Sequence, residues 1–151
     1  MDIKIIKCDY NYALKANELL TKLIRDEKNY DKNINDNIVV SVLYEKFYDE
    51  ENVCLLGALH NDIMIGYIYG FIDEDDDSII NKICTLDALY IEEEYRRLGV
   101  AAKLINELKT WAKQKGASSI ELKVLLNNEN AKNLYKKHNF KNKKVILSCD
   151  L

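Results

Sequence analysis

The chain of 151 residues is long enough for one domain and too short for two. Its hydrophobic share of 48% and charged share of 31% are typical of a globular protein, and no apolar run approaches the roughly 18 residues that a membrane span needs. The net charge of −3 argues against long-range attraction to nucleic acid, and the N-terminus lacks the apolar stretch of a secretory signal. We therefore predict one cytoplasmic domain, residues 1–151, that contacts neither membrane nor nucleic acid.

Hydrophobic spacing predicts a strand and two helices at the start of the chain. Residues 2–7 alternate like an edge strand, and apolar residues then recur at helical spacing over residues 11–27. A second helix is predicted over residues 38–47, which carry spaced apolar residues after an Asn-rich stretch that favours caps and turns.

Two further strands are predicted next, joined by a short turn. The runs 53–59 and 63–71 are apolar and β-rich, and His60, Asn61 and Asp62 between them have the polar chemistry of a hairpin turn. The acidic run at residues 73–77 predicts a solvated loop, because its charges would repel one another in a packed core. The alternative interpretation is that this run attracts cationic substrates electrostatically. The four cysteines and two histidines form no metal-ligand spacing, so we expect reduced thiols and no metal.

The second half of the chain alternates between strands and helices. Residues 83–91 are apolar enough for a strand buried on both faces, interrupted by Asp87. An apolar stripe over residues 97–115 predicts a helix, and residues 120–124 alternate as a strand. A strand, a helix and a strand in this order imply a right-handed parallel crossover.

The last part of the chain completes an α/β arrangement. Asn127 or Asn128 can cap a further helix, and residues 140–151 can supply one or two closing strands. The order of elements predicts a mixed sheet with helices on its faces.

The junction between the strand at 83–91 and the following helix has the chemistry of an anion site. A helix N-terminus offers unpaired amides and the positive end of the macrodipole, to which phosphates bind readily. Small residues at Gly99 and Ala101 let a diphosphate approach the backbone, while Arg96 and Arg97 supply charge-assisted donors. The same residues also fit a plain helix cap beside surface charges. Neither a P-loop sequence nor a GxGxxG fingerprint is present.

This junction resembles the signature of the GNAT superfamily of N-acetyltransferases, in which Arg/Gln-x-x-Gly-x-Gly/Ala follows a strand that ends in a Leu-x-Val-like triplet. The matching positions are Arg96, Gly99 and Ala101, after Leu89, Tyr90 and Ile91. A second block is similar to the family's Asn-x-x-Ala-x-x-Leu-Tyr segment, and it comprises Asn128, Ala131, Leu134 and Tyr135, followed by Phe140. Asn139 stands where the family has Gly, a change that affects only a turn, because Asn tolerates positive φ.

The resemblance implies a fold, a co-substrate and a binding surface. The fold would be a GNAT-like α/β fold with a central, mostly antiparallel sheet of about six to seven strands, one parallel strand pair, and about four helices on both faces. The co-substrate would be acetyl-CoA, with its diphosphate on the amides of residues 97–102, and a homodimer also fits the family. The residues that the resemblance assigns to the cofactor are Leu89, Tyr90, Ile91, Arg96, Arg97, Leu98, Gly99, Val100, Ala101, Ala102, Asn128 and Tyr135.

The resemblance also implies catalytic roles. Tyr135 would act as the general acid at the thioester sulfur, and its alternative interpretation is a core aromatic. For Asn128 the alternative to a cofactor contact is a plain helix cap. Asp87 is the candidate general base, since similar polyamine-type enzymes carry a Glu there. In addition, a carboxylate in an apolar strand must either have hydrogen-bond or ionic partners or serve a function. Glu92 is the second candidate. Lys123 stands where ribosomal-protein N-terminal acetyltransferases usually have a catalytic Glu, which argues against a protein N-terminus as acceptor.

The hypothesis from the sequence is acetyl transfer from acetyl-CoA to the primary amine of a small, cationic acceptor of the polyamine or aminoglycoside type, by direct attack in a ternary complex. It rests on Asp87, the acidic run and the negative net charge. Two alternatives stay open: a protein or peptide N-acetyltransferase, and a catalytically silent CoA-binding regulatory module.

Overall fold

A single mixed sheet forms the centre of the protein, in a computed structural model that describes residues 1–73 and 77–151. Its strands are β1 (Lys4–Lys7), β2 (Val53–His60), β3 (Ile63–Ile72), β4 (Ile83–Ile91) and β5 (Ser119–Glu121). They follow one another across the sheet in chain order, with antiparallel pairing up to β4 and a parallel pair between β4 and β5. The predicted α/β class with one parallel pair is confirmed, although the described residues form five strands instead of six to seven.

Helices cover both faces of the sheet. The described residues form three α-helices where about four were predicted, namely α1 (Tyr10–Glu27), α2 (Val100–Gln114) and α3 (Glu129–Lys137). Short 3-10 turns lie at Tyr44–Lys46 and Glu93–Tyr95. One core cluster contains buried side chains of α1, and the other contains buried side chains of α2. The Asp9 side chain caps α1 by accepting from the Tyr12 amide at 2.9 Å, an interaction worth about 1 kcal/mol. No helix in the two described stretches is long and apolar enough to cross a bilayer.

The hairpin between β2 and β3 forms as predicted. His60 pairs with Ile63, which leaves Asn61 and Asp62 as a two-residue turn with φ values of 50° and 65°. Two central residues with positive φ make the turn type whose twist suits a tight hairpin, and Asn and Asp adopt that region more readily than most residues.

The predicted helix over residues 38–47 is wrong, because buried polar contacts hold this segment in another conformation. The Asn17 side-chain amide donates to the Ser41 carbonyl and the Glu45 carboxylate, and its oxygen accepts from the Tyr44 amide. These bonds leave only the 3-10 turn Tyr44–Lys46. Tyr44 is fully buried, as a tertiary anchor and not as part of a helical stripe.

The C-terminal elements also differ from the prediction. The strand expected over 120–124 is the shorter β5, and residues 140–151 form no strand. Every residue from 141 to 151 is exposed. The acidic run is described only at Asp73 and Asp77, and its middle, residues 74–76, lies outside the described residues. The four cysteines are free; three are buried and Cys149 is exposed.

Candidate functional site

The strands β4 and β5 pair over only three residues, and we call the unpaired stretch on the carboxyl side of this pairing the gap. The parallel pairing joins Ile83 to Ser119, Cys84 to Ile120 and Thr85 to Glu121, and then ends. On this edge, β4 from residue 86 to 91 has no strand partner in the described part of the chain. Peptide groups at the edge are therefore free to pair with an extended ligand.

The direction of the peptide groups in β4 shows which of them face the gap. The Glu92 amide donates to the Ile65 carbonyl of β3 at 2.8 Å, so the neighbouring Ile91 peptide group faces the opposite edge. Leu89, two residues earlier, faces the same edge. The Ile91 carbonyl accepts from Arg96 Nε at 2.8 Å, and the Ile91 N–H at the gap has no acceptor among the described residues.

A β-bulge places Asp87 at the start of this gap. Leu86 and Ala88 pair with adjacent residues of β3, so that Asp87 between them has no partner in the register. Cys84 and Leu86 belong to the core cluster beneath α2, whereas Ala88 and Tyr90 belong to the cluster beneath α1. The extra residue thus reverses which face each later side chain of β4 occupies, and it leaves the Asp87 side chain exposed in an otherwise mostly buried strand.

The start of α2 presents a row of unpaired backbone donors. The first helical bond is from the Lys103 amide to the Gly99 carbonyl, and the six amides of residues 97–102 have no acceptor within the described residues. No side chain caps the helix, and its first turn contains no acidic residue. The positive end of the helix dipole is therefore uncompensated, an arrangement that favours a bound anion.

Two left-handed residues shape this row of donors. Arg97 has a φ of 64° and Gly99 a φ of 83°, so the helix begins at Val100 and not at residue 97 as predicted. A Cβ built on Gly99 would meet no atom within 4 Å, which shows that the space above this backbone is open. Alternation of right- and left-handed residues turns successive amides towards one point, the geometry of an anion-binding nest. We call residues 97–102 the amide cradle.

The Arg96 side chain contacts residues outside the cradle. Besides the bond from its Nε to the Ile91 carbonyl, its guanidinium forms an ion pair of 3.3 Å with Asp26 and lies 5.2 Å from the centre of the Tyr90 ring. These contacts tie the loop before α2 to the end of β4 and to α1. The predicted direct contact of Arg96 with phosphate stays a prediction, whereas the Arg97 side chain has no hydrogen bond or ion pair in the described structure.

The surroundings of Asp87 raise the pKa of its carboxyl group. Burial raises the pKa of this carboxyl group even though the residue keeps solvent exposure, and the positive charge of Lys123 partly opposes the rise. Asp87 in turn raises the pKa of Tyr69, for which burial is the largest cause, to about 12. A carboxyl group with a raised pKa is a stronger base once ionised, which is what proton abstraction from an ammonium requires.

A buried pair of tyrosines lies near Asp87. The hydroxyl groups of Tyr44 and Tyr67 are 3.0 Å apart, and both side chains are fully buried. Burial is the main cause that raises the pKa of both hydroxyls, and the charge of Asp87 contributes to each. Both hydroxyls therefore keep their protons at physiological pH, and the pair adds no charge.

Tyr135 and Asn128 are placed by α3. Tyr135 is half-buried, and its ring makes an edge contact with Phe140 at 5.6 Å between centroids. Burial first, and then the charge of Glu27, raises the pKa of its hydroxyl to about 12, so the hydroxyl keeps its proton at neutral pH. Asn128 caps α3 by accepting from the Ala131 amide at 3.2 Å, while its side-chain NH₂ has no acceptor among the described residues.

Two further carboxylates lie near the candidate site, Glu27 and Glu92. Glu27, the last residue of α1, is half-buried, and burial followed by the charges of Asp31 and Asp87 raises the pKa of its carboxyl group. Glu27 could not be predicted from the sequence, because a polar residue at a helix end looks like any surface residue. The Glu92 carboxylate accepts from Lys22 Nζ at 2.8 and 3.0 Å, and its role as the second candidate base stays a prediction.

A comparison with protein families places most of the chain in one of them. The model of the acetyltransferase (GNAT) family matches residues 17–140, which include β4, the amide cradle and α3. No curated protein of known function matched the sequence.

Solved structures share the fold at low sequence identity. A mutant of the BH1408 protein from Bacillus halodurans is 16% identical, with a TM-score of 0.84 and coverage of 100% of this chain and 99% of that one. An aminoglycoside acetyltransferase, meta-AAC0020, from an uncultured soil metagenomic sample is 17% identical, with a TM-score of 0.73 and coverage of 99% and 96%. Ribosomal-protein-alanine N-acetyltransferase from Brucella melitensis biovar Abortus is 17% identical, with a TM-score of 0.69 and coverage of 99% and 100%. At these identities the likeness shows the fold alone.

Proposed function

Because the chain belongs to the acetyltransferase (GNAT) family, we propose that it transfers an acetyl group from acetyl-CoA to a primary amine of a small, cationic acceptor. The observation that carries this proposal is the row of six unpaired amides in the cradle, next to the open edge of β4. The two features are adjacent because Ile91 ends the strand and the cradle begins six residues later.

The chain's own groups fit the three parts of acetyl-CoA. The cradle amides and the end of the α2 dipole bind the diphosphate, and the Leu89 and Ile91 peptide groups pair with the amides of pantetheine. The side-chain NH₂ of Asn128 provides a further donor beside this path. Bound there, acetyl-CoA supplies a thioester carbonyl as the electrophile. The free Ile91 N–H can donate to the carbonyl oxygen as negative charge develops on it.

Deprotonation of the amine is the step that most needs help. An alkylammonium with a pKa of about 10.4 must lose its proton at pH 7, which costs about 4 to 5 kcal/mol. The Asp87 carboxylate accepts this proton, directly or through a water molecule, and its raised pKa improves the driving force. Attack and proton transfer then occur in one ternary complex, without a covalent intermediate on the protein.

Acid catalysis at the sulfur is less demanding, and a substitution of Tyr135 tests this. A thiolate with a pKa of about 8.5 is already a fair leaving group, so protonation by the Tyr135 hydroxyl has limited room to accelerate the reaction. We expect Tyr135→Phe to lower kcat by about tenfold, while the ring contact with Phe140 and the KM for acetyl-CoA are retained. Steady-state kinetics with both substrates measures this. A drop comparable to loss of the base would show that departure of the thiol limits turnover.

The electrostatic pair of Lys123 and Asp87 predicts a shift in the pH profile. Removal of the Lys123 charge takes away the one influence that lowers the pKa of the Asp87 carboxyl. Activity requires the ionised base, so the acid limb of the kcat/KM profile should move to higher pH in Lys123→Gln and stay unchanged in Lys123→Arg. An unchanged limb in Lys123→Gln would show that this limb reports another group.

The charge around the site supports a cationic acceptor. After burial and the charge of Asp31, the negative charge of Asp87 raises the pKa of the Glu27 carboxyl group. Among the described residues, Lys123 is the cation that lowers the pKa of Asp87, and none lowers that of Glu27. One similar fold is an aminoglycoside acetyltransferase that was crystallised with sisomicin, at 16% identity. A peptide acceptor is the second candidate, because a ribosomal-protein-alanine N-acetyltransferase shares the fold.

Two measurements on the purified chain test the proposal. Acetyl-CoA at a hundredfold its dissociation constant should stabilise the protein by about 2.7 kcal/mol, and pantetheine, which lacks the diphosphate, should bind more weakly than CoA does. Release of free thiol is then followed with a panel of polyamines, aminoglycosides and peptides. Thiol release only with peptides would overturn the acceptor assignment. Binding without turnover on any amine would indicate a silent CoA-binding module, and absence of binding would overturn the proposal itself.

A further inference from the structure

Aromatic side chains lie in contact with one another on the face of the sheet that α1 covers. The ring centroids of Phe47 and Tyr69 are 5.6 Å apart, and those of Tyr69 and Phe71 are also 5.6 Å apart. Beneath them the ring of Tyr44 is fully buried, 5.9 Å from Phe47 and 5.1 Å from Tyr69. Phe47, Tyr69 and Phe71 are each half-buried, so part of every ring is open to solvent. We call these three side chains the aromatic row.

Asp87 lies at the β4 end of the aromatic row. Leu86 belongs to the core beneath α2, so the alternation of side chains along a strand directs Asp87, the next residue, to the α1 face. Tyr69 packs on that same face and pairs in the register with Ala88, the neighbour of Asp87. The Asp87 carboxylate is therefore next to the ring of Tyr69.

Glu50 lies at the β2 end of the aromatic row. Its amide donates to the Phe47 carbonyl at 3.1 Å, and its own carbonyl accepts from the Val53 amide at 3.1 Å. Val53, the first residue of β2, pairs in the register with Phe71. The Glu50 side chain is exposed and has no hydrogen bond or ion pair in the described part of the chain.

The electrostatics of Tyr69 agree with a position between two carboxylates. Burial first, then the charge of Asp87 and then that of Glu50 raise the pKa of the Tyr69 hydroxyl to about 12. The hydroxyl is therefore neutral at physiological pH, and the aromatic row is an uncharged surface with a negative charge at each end.

An apolar surface between two carboxylates is complementary to two cations that a hydrocarbon chain joins. Aromatic faces attract ammonium groups and pack against methylene groups, whereas they satisfy few of the hydrogen bonds that sugar hydroxyls need. Asp87 is on β4 and Glu50 precedes β2, so two strand spacings, or roughly 10 Å, separate the two ends. An extended chain of about six to eight methylene groups covers such a distance.

We propose that the aromatic row is a specificity subsite for a linear diamine, which places its reacting amine at Asp87, its hydrocarbon chain on the three rings and its distal ammonium at Glu50. The proposal rests on the acetyl transfer proposed above only in placing the reacting amine at Asp87. It names the acceptor as an alkyl diamine and not as an amino sugar.

Binding of diaminooctane, measured by calorimetry without acetyl-CoA, tests the subsite apart from turnover. The wild type should bind diaminooctane at least about tenfold more tightly than octylamine, which has the same chain and one cation. Glu50→Gln should remove most of this difference. The matched control is Glu107→Gln, the same change at an exposed position on α2, across the sheet, and it should keep the difference.

Two substitutions of Tyr69 test the ring itself. Tyr69→Leu keeps an apolar side chain without a π face and should weaken diaminooctane binding by about tenfold, whereas Tyr69→Phe keeps the ring and should retain most of the affinity. Circular dichroism checks that each variant is folded. Because Glu50 is exposed, Glu50→Gln decides the matter even if Tyr69→Leu does not fold.

Turnover gives a second readout of the same subsite. In thiol-release assays, kcat/KM should rise by about twofold to fourfold with each methylene group added from diaminobutane to diaminooctane, because each group buries more surface on the rings. In Glu50→Gln the ratio of kcat/KM for diaminooctane to that for octylamine should fall by about tenfold.

The outcomes separate this proposal from that of acetyl transfer. Diaminooctane that binds as expected, without acetylation of any amine, would support the subsite and overturn the proposed function. Acetylation of other amines by a chain that binds diaminooctane no better than octylamine would leave the proposed function standing and overturn the subsite. Preference for an aminoglycoside over every diamine, or a Glu50→Gln variant with the wild-type difference in affinity, would also overturn the subsite.

Discussion

Replacement of Asp87 by Asn should lower kcat by about 100-fold or more, the usual effect of losing a general base. The amide keeps the shape of the side chain but cannot accept the ammonium proton at neutral pH. Asp87 occupies the extra position of the β4 bulge, and its neighbours Leu86 and Ala88 hold the register with β3, so the strand should be retained. The KM for acetyl-CoA should change little, because the cradle begins only after β4 has ended and does not include Asp87. Steady-state kinetics over a range of pH measures both constants.

Two further variants serve as controls for Asp87→Asn. Asp87→Glu keeps a carboxylate and should recover a substantial part of the lost kcat. Asp49→Asn makes the same chemical change at an exposed position with no described contact, and it should leave both constants unchanged. If Asp87→Asn raised the KM for the amine with kcat intact, Asp87 would bind the acceptor without acting as the base. Glu27 would then be the next carboxylate to replace.

The stability of Asp87→Asn should move in the opposite direction to its activity. Burial raises the folded-state pKa of the Asp87 carboxyl above its unfolded value, so the folded state prefers the protonated form. Wild-type stability is thus complete below the ordinary carboxyl pKa and declines as pH rises to the elevated one. Asn avoids this decline, so its melting temperature should equal or exceed that of the wild type at pH 7 and converge with it at low pH. Because Asp87 is partly exposed, the effect is small.

Much of the candidate site could be predicted from the sequence because its parts are local. A strand, a turn with Gly99 and a helix stripe fix where the cradle amides lie, and no distant contact is needed to form them. The exact start of α2 was not predictable in the same way. Arg97 adopts a left-handed φ, which an Arg in a sequence does not indicate. The predicted helix therefore begins three residues too early.

Features that depend on register and burial could not be predicted. The apolar run of β4 showed that Asp87 was unusual, but a bulge is a property of two strands and appears only when β3 is in place. The segment at 38–47 looked helical by spacing, yet Asn17 bonds to it across the fold. Residues 140–151 are predicted to supply one or two closing strands, yet they form no strand, because strand pairing depends on the register of a neighbouring strand and not only on the residues of the segment.

Introduction of a carboxylate at Ala102 should separate anion binding from helix stability. Ala102 is the third residue of α2, where an acidic side chain complements the helix dipole, and the first turn now contains none. Ala102→Glu should therefore stabilise the unliganded protein by about 0.3–1 kcal/mol. The same charge beside the cradle repels the diphosphate, so acetyl-CoA affinity should fall on the order of 100-fold, or about 2.7 kcal/mol.

The comparison with Ala102→Gln isolates the charge from the size of the new side chain. Gln has nearly the same shape as Glu but carries no charge that repels the diphosphate. The Ala102→Gln variant should therefore bind acetyl-CoA at least tenfold more tightly than the Ala102→Glu variant does. The difference between the two variants should shrink as salt rises, because screening weakens the repulsion between exposed charges. Calorimetry at two salt concentrations, together with the melting temperature of each free protein, measures all of these quantities. Equal affinities for Glu and Gln would show that no anion lies at the start of α2, and the cradle would then be only an uncapped helix end.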